Sequence, residues 1–491
     1  MKLTNSTLAQ VSPDVSVPAY DRAGLRHGIV HIGVGGFHRS HEAVYTHRLL
    51  QAGGSEDWSI CGVGLREGDR PMGQVLASQD HLYTLIELGA DGNNALSVIG
   101  AITDFLFAPE DQDAVIEKLA SPQVRIVSLT ITEGGYNVDD STGKFNEAHP
   151  DVRHDLENPQ QPRSVFGYLT EALRRRRERS LPPFTVMSCD NLPENGRVAR
   201  AALLAFANLR DSDLALWIAT EVSFPSSMVD RITPATDDKH RRWLTEHYDL
   251  EDDWPVICEP FSQWVLEDDF CNGRPAWENV GVQFTDNVAP YERMKIRLLN
   301  ASHSAMAYLG YLAGHRYTHE VMADERFNHF IRSFMDDDVT PILGEIAGID
   351  VPAYKQTLIE RFSNPQMGDQ LARLCMDGSG KIPKFLVPTL QTLVTEGRPL
   401  QRVALILASW ALYLRGKDEQ GRVHDINDPM AGRLCAAVAD RANLTPEFLG
   451  MADIFGTTLA SSSAFEEAFD AALDKLETNG VVAALESLQA D

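Results

Sequence analysis

Gly28-Ile-Val-His-Ile-Gly33-Val-Gly35-Gly36-Phe37-His38-Arg39 reads as a short buried strand that breaks into a glycine turn. Residues 40–50 follow with apolar side chains at helical spacing, so strand, turn and helix succeed one another. A strand ending in Gly-x-Gly lets the backbone come close to a pyrophosphate, and the helix behind it turns free N–H groups toward that charge. Gly33, Gly35, Gly36, Phe37, His38 and Arg39 are therefore candidate dinucleotide-binding residues. His38 stands where G-x-G-x-x-G would have its third glycine, and a glycine-rich turn without any ligand is an equally ordinary reading of these residues alone.

A second apolar run, 58–65, ends in Arg66-Glu67-Gly68-Asp69. A carboxylate at Asp69 would accept hydrogen bonds from the adenosine ribose hydroxyls and repel a 2′-phosphate, which favours NAD over NADP. The interval from Gly36 is longer than the usual run of about twenty residues, so Glu67 competes for this role. Arg66 can stack on adenine or pair with a phosphate, or simply be a solvated loop arginine. His38 and His41 are close enough to suggest a metal, yet no third ligand accompanies them, and no metal is expected.

Further strand candidates lie at 98–102, 124–131, 184–189 and 216–222, with helical stretches between several of them. Such alternation predicts an α/β fold with a mostly parallel, doubly wound sheet. Beyond Pro290 helical patterns dominate, at 292–312, 325–335, 353–362, 367–374, 389–395, 402–414 and 463–474. A chain of 491 residues also exceeds what one core usually holds. The expected division is an α/β domain over 1–285 and a mainly helical domain over 286–491.

The formal charge of −26 leaves no sequence-wide basic field to hold phosphates, so a nucleic-acid partner is not expected. The six cysteines form no C-x-x-C pair, which suggests neither a zinc clamp nor a disulfide framework and fits a reducing cytoplasm. The first ten residues lack the apolar core of a signal peptide, and the longest apolar stretches are too short for a bilayer span. No membrane association is expected.

Two segments carry candidate chemistry. Tyr291-Glu-Arg-Met-Lys295-Ile-Arg-Leu-Leu-Asn300-Ala-Ser-His303 sets an amine, a carboxamide and an imidazole along one helix. At about 100° per residue, with Lys295 at the origin, Glu292 falls near 60°, His303 near 80° and Asn300 near 140°. A lysine among apolar neighbours is a candidate proton acceptor, because desolvation and nearby cations lower its pKa. Taken alone, the same pattern also fits an amphipathic helix with a wet polar stripe. Val186-Met-Ser-Cys189-Asp190-Asn191 places an Asp-Asn pair just past a buried strand, where open α/β sheets bind ligands. A carboxamide there can donate to an oxygen gaining negative charge, or merely close an Asx-turn.

These motifs resemble the long-chain mannitol dehydrogenase family of polyol and uronate oxidoreductases. The resemblance rests on Gly33-Val-Gly-Gly-Phe-His-Arg39, Thr130-Ile-Thr-Glu-Gly-Gly-Tyr136, Ser188-Cys-Asp-Asn-Leu-Pro-Glu-Asn-Gly196 and Phe224-Pro-Ser-Ser-Met-Val-Asp230-Arg-Ile-Thr-Pro234. It continues through Glu259-Pro-Phe-Ser-Gln-Trp-Val-Leu-Glu-Asp268, Lys295 to His303, Arg361-Phe-Ser-Asn-Pro365 and Asp377-Gly-Ser-Gly-Lys-Ile-Pro383, in order along nearly the whole chain.

The resemblance implies a Rossmann-type N-terminal domain, a helical C-terminal domain and no metal ion. It also implies a lysine base at Lys295 and an oxyanion hole of Asn191 and Asn300, with His303 close to the substrate and Glu292 influencing proton movement. Asp230, Arg373 and Lys381 fall at positions expected to contact the sugar. The implied activity is NAD-dependent interconversion of D-mannitol and D-fructose by a monomer. Fructuronate or tagaturonate reduction, D-arabinitol oxidation and a noncatalytic dinucleotide sensor are the alternatives. Gly68 departs from the family pattern and leaves a single carboxylate beside it, at Asp69, which weakens the case for strict NAD preference.

Overall fold

The computed structural model describes residues 1–138 and 144–489. The chain divides into two compact units, Met1–Ala289 and Pro290–Asp491.

The N-terminal unit is built on five parallel strands, His27–Ile32 (β1), Ser59–Gly64 (β2), Ile102–Phe107 (β3), Ile126–Leu129 (β4) and Thr185–Ser188 (β5). Their spatial order is β3-β2-β1-β4-β5, with the direction of winding reversing at β1. Side chains alternate between two apolar clusters because successive residues of a strand point to opposite faces. Val30, Ile32, Val63, Val127 and Val186 enter one cluster, while Ile29, Ile60, Ile126 and Met187 enter the other. Both faces are thus covered, and the glycine turn leaves β1 at the carboxyl edge where the winding reverses. In such a sheet that edge is the place for a ligand.

Two smaller sheets complete this unit. One joins Val15–Ser16, Asn94–Ile99, Tyr83–Leu88 and Val256–Cys258, and the other joins Gln283–Thr285, Gln263–Glu267 and Ser227–Asp230.

Three expectations change. Residues 216–222 are not a strand: Ser212–Glu221 is a helix whose start is capped by the Asp211 carboxylate, which accepts from the Asp213 and Leu214 N–H groups. Leu214, Ala215 and Ile218 are buried at helical spacing while Leu216 is 68% exposed, so the apolar run is one helical face and not a pleat. The expected strand 98–102 is a junction between Asn94–Ile99 and β3. The expected helix 40–50 is two helices, Gly36–Ser40 and Glu42–Ala52, separated at His41, whose backbone (φ −120°, ψ −93°) is not helical.

The second unit is helical among its described residues. Its longest helix, Ser463–Ser487, breaks at Gly480 (φ +77°), where the Val481 N–H is held by the Glu419 carboxylate at 2.6 Å. Among the described residues no helix is long and apolar enough to cross a membrane. All six cysteines are free thiols.

Candidate active site

Gly33 adopts φ +97°, and a Cβ there would lie 2.2 Å from the Thr130 carbonyl oxygen, so only glycine fits the end of β1. Gly35 precedes the first turn of Gly36–Ser40, and side chains at Gly35 or Gly36 would meet nothing closer than 3.6 Å. The space over these two glycines, left clear by the absent side chains, suits close approach of a pyrophosphate to backbone N–H groups. Phe37 stacks on His41. His38 and Arg39, expected among the ligand-binding residues, direct their side chains inward instead. Both are about 1% exposed; the Arg39 guanidinium donates to the Trp254 carbonyl at 2.6 Å and lies over the Tyr83 ring. What they can offer a dinucleotide is helix backbone.

After β2, Asp69 is half-buried and its Oδ2 accepts from the Arg66 N–H at 2.9 Å, closing the turn Glu67–Asp69. Glu67 is tied to Arg70 at 3.1 Å, and Arg70 also reaches Glu110 at 2.6 Å. The two acids thus differ in setting: the turn fixes the position of Asp69, while Glu67 is drawn to Arg70. The Arg66 side chain is exposed.

Beneath the glycine turn lies a group that sequence reasoning missed. His31, His38 and Glu42 are buried and place three donor atoms within 4.8 Å of one another. Both imidazole Nδ1 atoms face the same Glu42 oxygen, at 3.0 and 3.1 Å, and the rings stack with centroids 3.4 Å apart and 13° between planes. Burial pushes Glu42 upward, but hydrogen bonds from His31 and His38 outweigh it and hold the carboxyl below its usual range. Burial, aided by the neighbouring charge of His31, lowers His38 to about 3. His41 is not part of this group; its Nε2 faces the Gln263 carbonyl at 3.0 Å.

At the end of β5, Asp190 is buried and braces the turn after β4. Its two oxygens accept from the Ile131 and Thr132 N–H groups at 3.0 and 2.8 Å, and Oδ2 accepts from the Tyr136 hydroxyl at 2.7 Å. Thr132 is held at φ +60°, a strained conformation for a β-branched residue that these bonds sustain. Asn191, the next residue along, is exposed at the same sheet edge. Asp230 is buried at the end of Ser227–Asp230, paired in register with Gln263.

The motif of the second unit is not a uniform α-helix. Ala289–Lys295 and Ala301–Ala313 are α-helical, but Ile296–Asn300 forms a π-turn in which the Ala301 N–H reaches back to the Ile296 carbonyl. An i→i+5 turn advances by roughly 80° per residue, so Asn300 moves from about 140° to about 40° around the axis relative to Lys295, and His303 to about −20°. The wider turn brings the amine, the carboxamide and the imidazole onto a narrower face than uniform α-helical spacing allows. π-turns of this kind recur at functional sites.

Lys295 is 7% exposed and Glu292 9%, while Asn300 and His303 are half-buried. The Asn300 Oδ1 is buried without a protein partner among the described residues. His303 packs against Phe362 with ring centroids 4.9 Å apart. The helix Gly378–Phe385, which carries Lys381, packs on the π-turn. Lys381 donates to the Leu374 and Arg373 carbonyls at 3.2 and 3.4 Å; burial and then the nearby Arg373 charge lower its pKa. Arg373 is itself bound to Asp369 at 2.6 Å.

Residues 27–279 match the family described as the mannitol dehydrogenase Rossmann domain, and residues 287–477 match the mannitol dehydrogenase C-terminal domain. A mannitol 2-dehydrogenase of Phaeosphaeria nodorum is 48% identical over 488 residues, covering 99% of this chain and 85% of that protein. The Pseudomonas fluorescens mannitol 2-dehydrogenase, solved as a ternary complex with NAD and D-mannitol, is 53% identical with a TM-score of 0.88 and full coverage of both chains. A D-sorbitol dehydrogenase solved in substrate-free form is 38% identical with a TM-score of 0.93, covering 99% of this chain and 100% of that one. Two matched domains and relatives aligned along nearly its whole length place the chain in the mannitol dehydrogenase family.

Proposed function

We propose that this protein is an NAD-dependent polyol dehydrogenase that interconverts D-mannitol and D-fructose, with Lys295 as the base. The observation that carries the reading is the π-turn, which gathers Lys295, Asn300 and His303 on one face of the motif helix. Its support from relatives is the solved Pseudomonas fluorescens protein, which holds NAD and D-mannitol.

The N-terminal domain, 1–285, would hold the dinucleotide through the turn Gly33, Gly35, Gly36 and the backbone of Gly36–Ser40, with Asp69 on the ribose. Bound NAD supplies a pyridine ring that accepts hydride. The helical domain, 286–491, would supply the chemistry on the sugar. Lys295, entering uncharged, takes the hydroxyl proton of the carbon being oxidised. Lowering a lysine by roughly three units from its reference pKa of about 10.4 means about 4 kcal/mol of differential interaction. Asn191 and Asn300 donate hydrogen bonds to the oxygen as it gains negative charge, an effect of about 2.7–4 kcal/mol for a well-aimed donor. Glu292 moderates proton exchange, His303 lies against the substrate, and Asp230, Arg373 and Lys381 contact its hydroxyls. The prior commitment of Arg373 to Asp369 and of Lys381 to backbone carbonyls weighs against a carboxylate-bearing uronate as substrate. The same reading has a metal-independent cytoplasmic monomer.

Following NADH oxidation separately with D-fructose, D-fructuronate and D-tagaturonate tests it. D-fructose is expected to be reduced with the highest kcat/KM. Preference for either uronate would transfer the chain to the reductase branch, and no turnover with any of the three would favour a dinucleotide sensor.

A further inference from the structure

The buried cluster under the glycine turn forms a continuous chain of contacts to that turn. His31 Nδ1 lies 3.0 Å from Glu42 Oε2 and 2.8 Å from Ser128 Oγ. Its other nitrogen, Nε2, lies 2.9 Å from Thr130 Oγ1 and 3.3 Å from the Gly33 carbonyl oxygen. Thr130 in turn donates its hydroxyl to that carbonyl at 2.7 Å. Gly33 is held on its other side by its N–H, which donates to the Val63 carbonyl at 3.1 Å.

The Thr130 hydroxyl that donates to the Gly33 carbonyl also lies against His31 Nε2, and His31 Nδ1 lies against the Glu42 carboxylate, so carbonyl, hydroxyl, imidazole and carboxylate form one connected group with almost no solvent exposure.

We propose that Glu42 and His31 are positioning residues for the dinucleotide turn, with Thr130 as the link that clamps the Gly33 carbonyl. The Glu42 carboxylate orients the His31 ring through Nδ1, which sets Nε2 against Thr130 Oγ1 and keeps the Thr130 hydroxyl on the carbonyl. Glu42→Ala removes the group that orients the ring, whereas Glu42→Gln keeps an oxygen facing Nδ1.

The effect on coenzyme rests on the NAD reading above; the effect on the turn does not. Hydrogen–deuterium exchange of residues 33–41 is therefore measured in the coenzyme-free protein alongside NAD dissociation constants by tryptophan quenching. Thr130→Val should speed exchange in this segment and weaken NAD roughly five-fold, the scale of one hydrogen bond, with Thr130→Ser restoring both. Glu42→Ala should move both in the same direction, with Glu42→Gln restoring part of the effect. Exchange and affinity in folded Thr130→Val equal to the unaltered protein would overturn the proposal. So would a folded Glu42→Ala whose exchange in this segment is unchanged. If the unaltered protein bound no NAD, the coenzyme reading would fail, and the exchange data would still decide whether the clamp exists.

Discussion

Mild acid should destabilise the N-terminal unit before its carboxylates protonate. His38, His41 and His47 are each buried, and burial lowers them to about 3, 4 and 4. Their surroundings agree with neutral rings: His47 Nδ1 takes the Tyr20 hydroxyl at 2.8 Å and the Gly100 N–H at 3.4 Å. In the unfolded chain the same rings titrate near 6.5. Folded-state values below the unfolded one mean that stability is fully present above about pH 6.5 and falls as the unfolded state takes up protons that the folded state refuses. The unfolded rings are already half-protonated at pH 6.5, so each removes about 1 kcal/mol by pH 5.5 and the three together remove roughly 3 kcal/mol. Against a typical domain stability of about 5–15 kcal/mol, that is a large share. The depressed Glu42 carboxyl adds its own loss only below the usual carboxylate range, outside this interval. Urea unfolding followed by circular dichroism at closely spaced pH values should give this fall, with these rings' proton uptake on unfolding rising from about 1.5 to nearly three across the interval. Stability that stays flat between pH 6.5 and 5.5 would refute the claim that these rings are held neutral.

Three substitutions examine the site itself. Gly33→Ala places a Cβ against the Thr130 carbonyl at a backbone angle that alanine resists, so differential scanning fluorimetry should show a loss of roughly 1–3 kcal/mol and NAD titration a weakened affinity. Asp69→Ala removes the carboxylate fixed by the Arg66 N–H, and the ratio of kcat/KM for NADP to that for NAD should rise; an unchanged ratio would point to another selectivity group. Asn300→Ala should slow hydride transfer by about 10²–10³ in single-turnover kinetics, and a change confined to KM would assign Asn300 to uniform substrate binding.

Much of this architecture was legible because it obeys short-range rules. β1 and its turn follow from an apolar run meeting Gly33, where no other residue fits. The helical pattern beyond Pro290 follows from apolar spacing. Residues 216–222 misled because Leu216, Trp217 and Ile218 look like a strand, while the Asp211 cap that turns them into a helix lies just upstream. His31 and Glu42 could not be joined from the sequence, since nothing in their spacing says that a strand residue and a residue beyond a helix break will share one oxygen contact. The π-turn was also hidden. Lys295, Asn300 and His303 stand out in the sequence as candidate chemistry, but their alignment depends on one backbone hydrogen bond, Ala301 to Ile296, that residue types do not announce.

The central claim is that the Lys295 amine removes the proton from the alcohol being oxidised. Stopped-flow NADH formation from D-mannitol and saturating NAD, compared between the unaltered protein and Lys295→Ala, tests it most directly. The account predicts a rate lower by about 10²–10⁴ with NAD affinity unchanged. A transient rate in Lys295→Ala within a few-fold of the unaltered protein would contradict it.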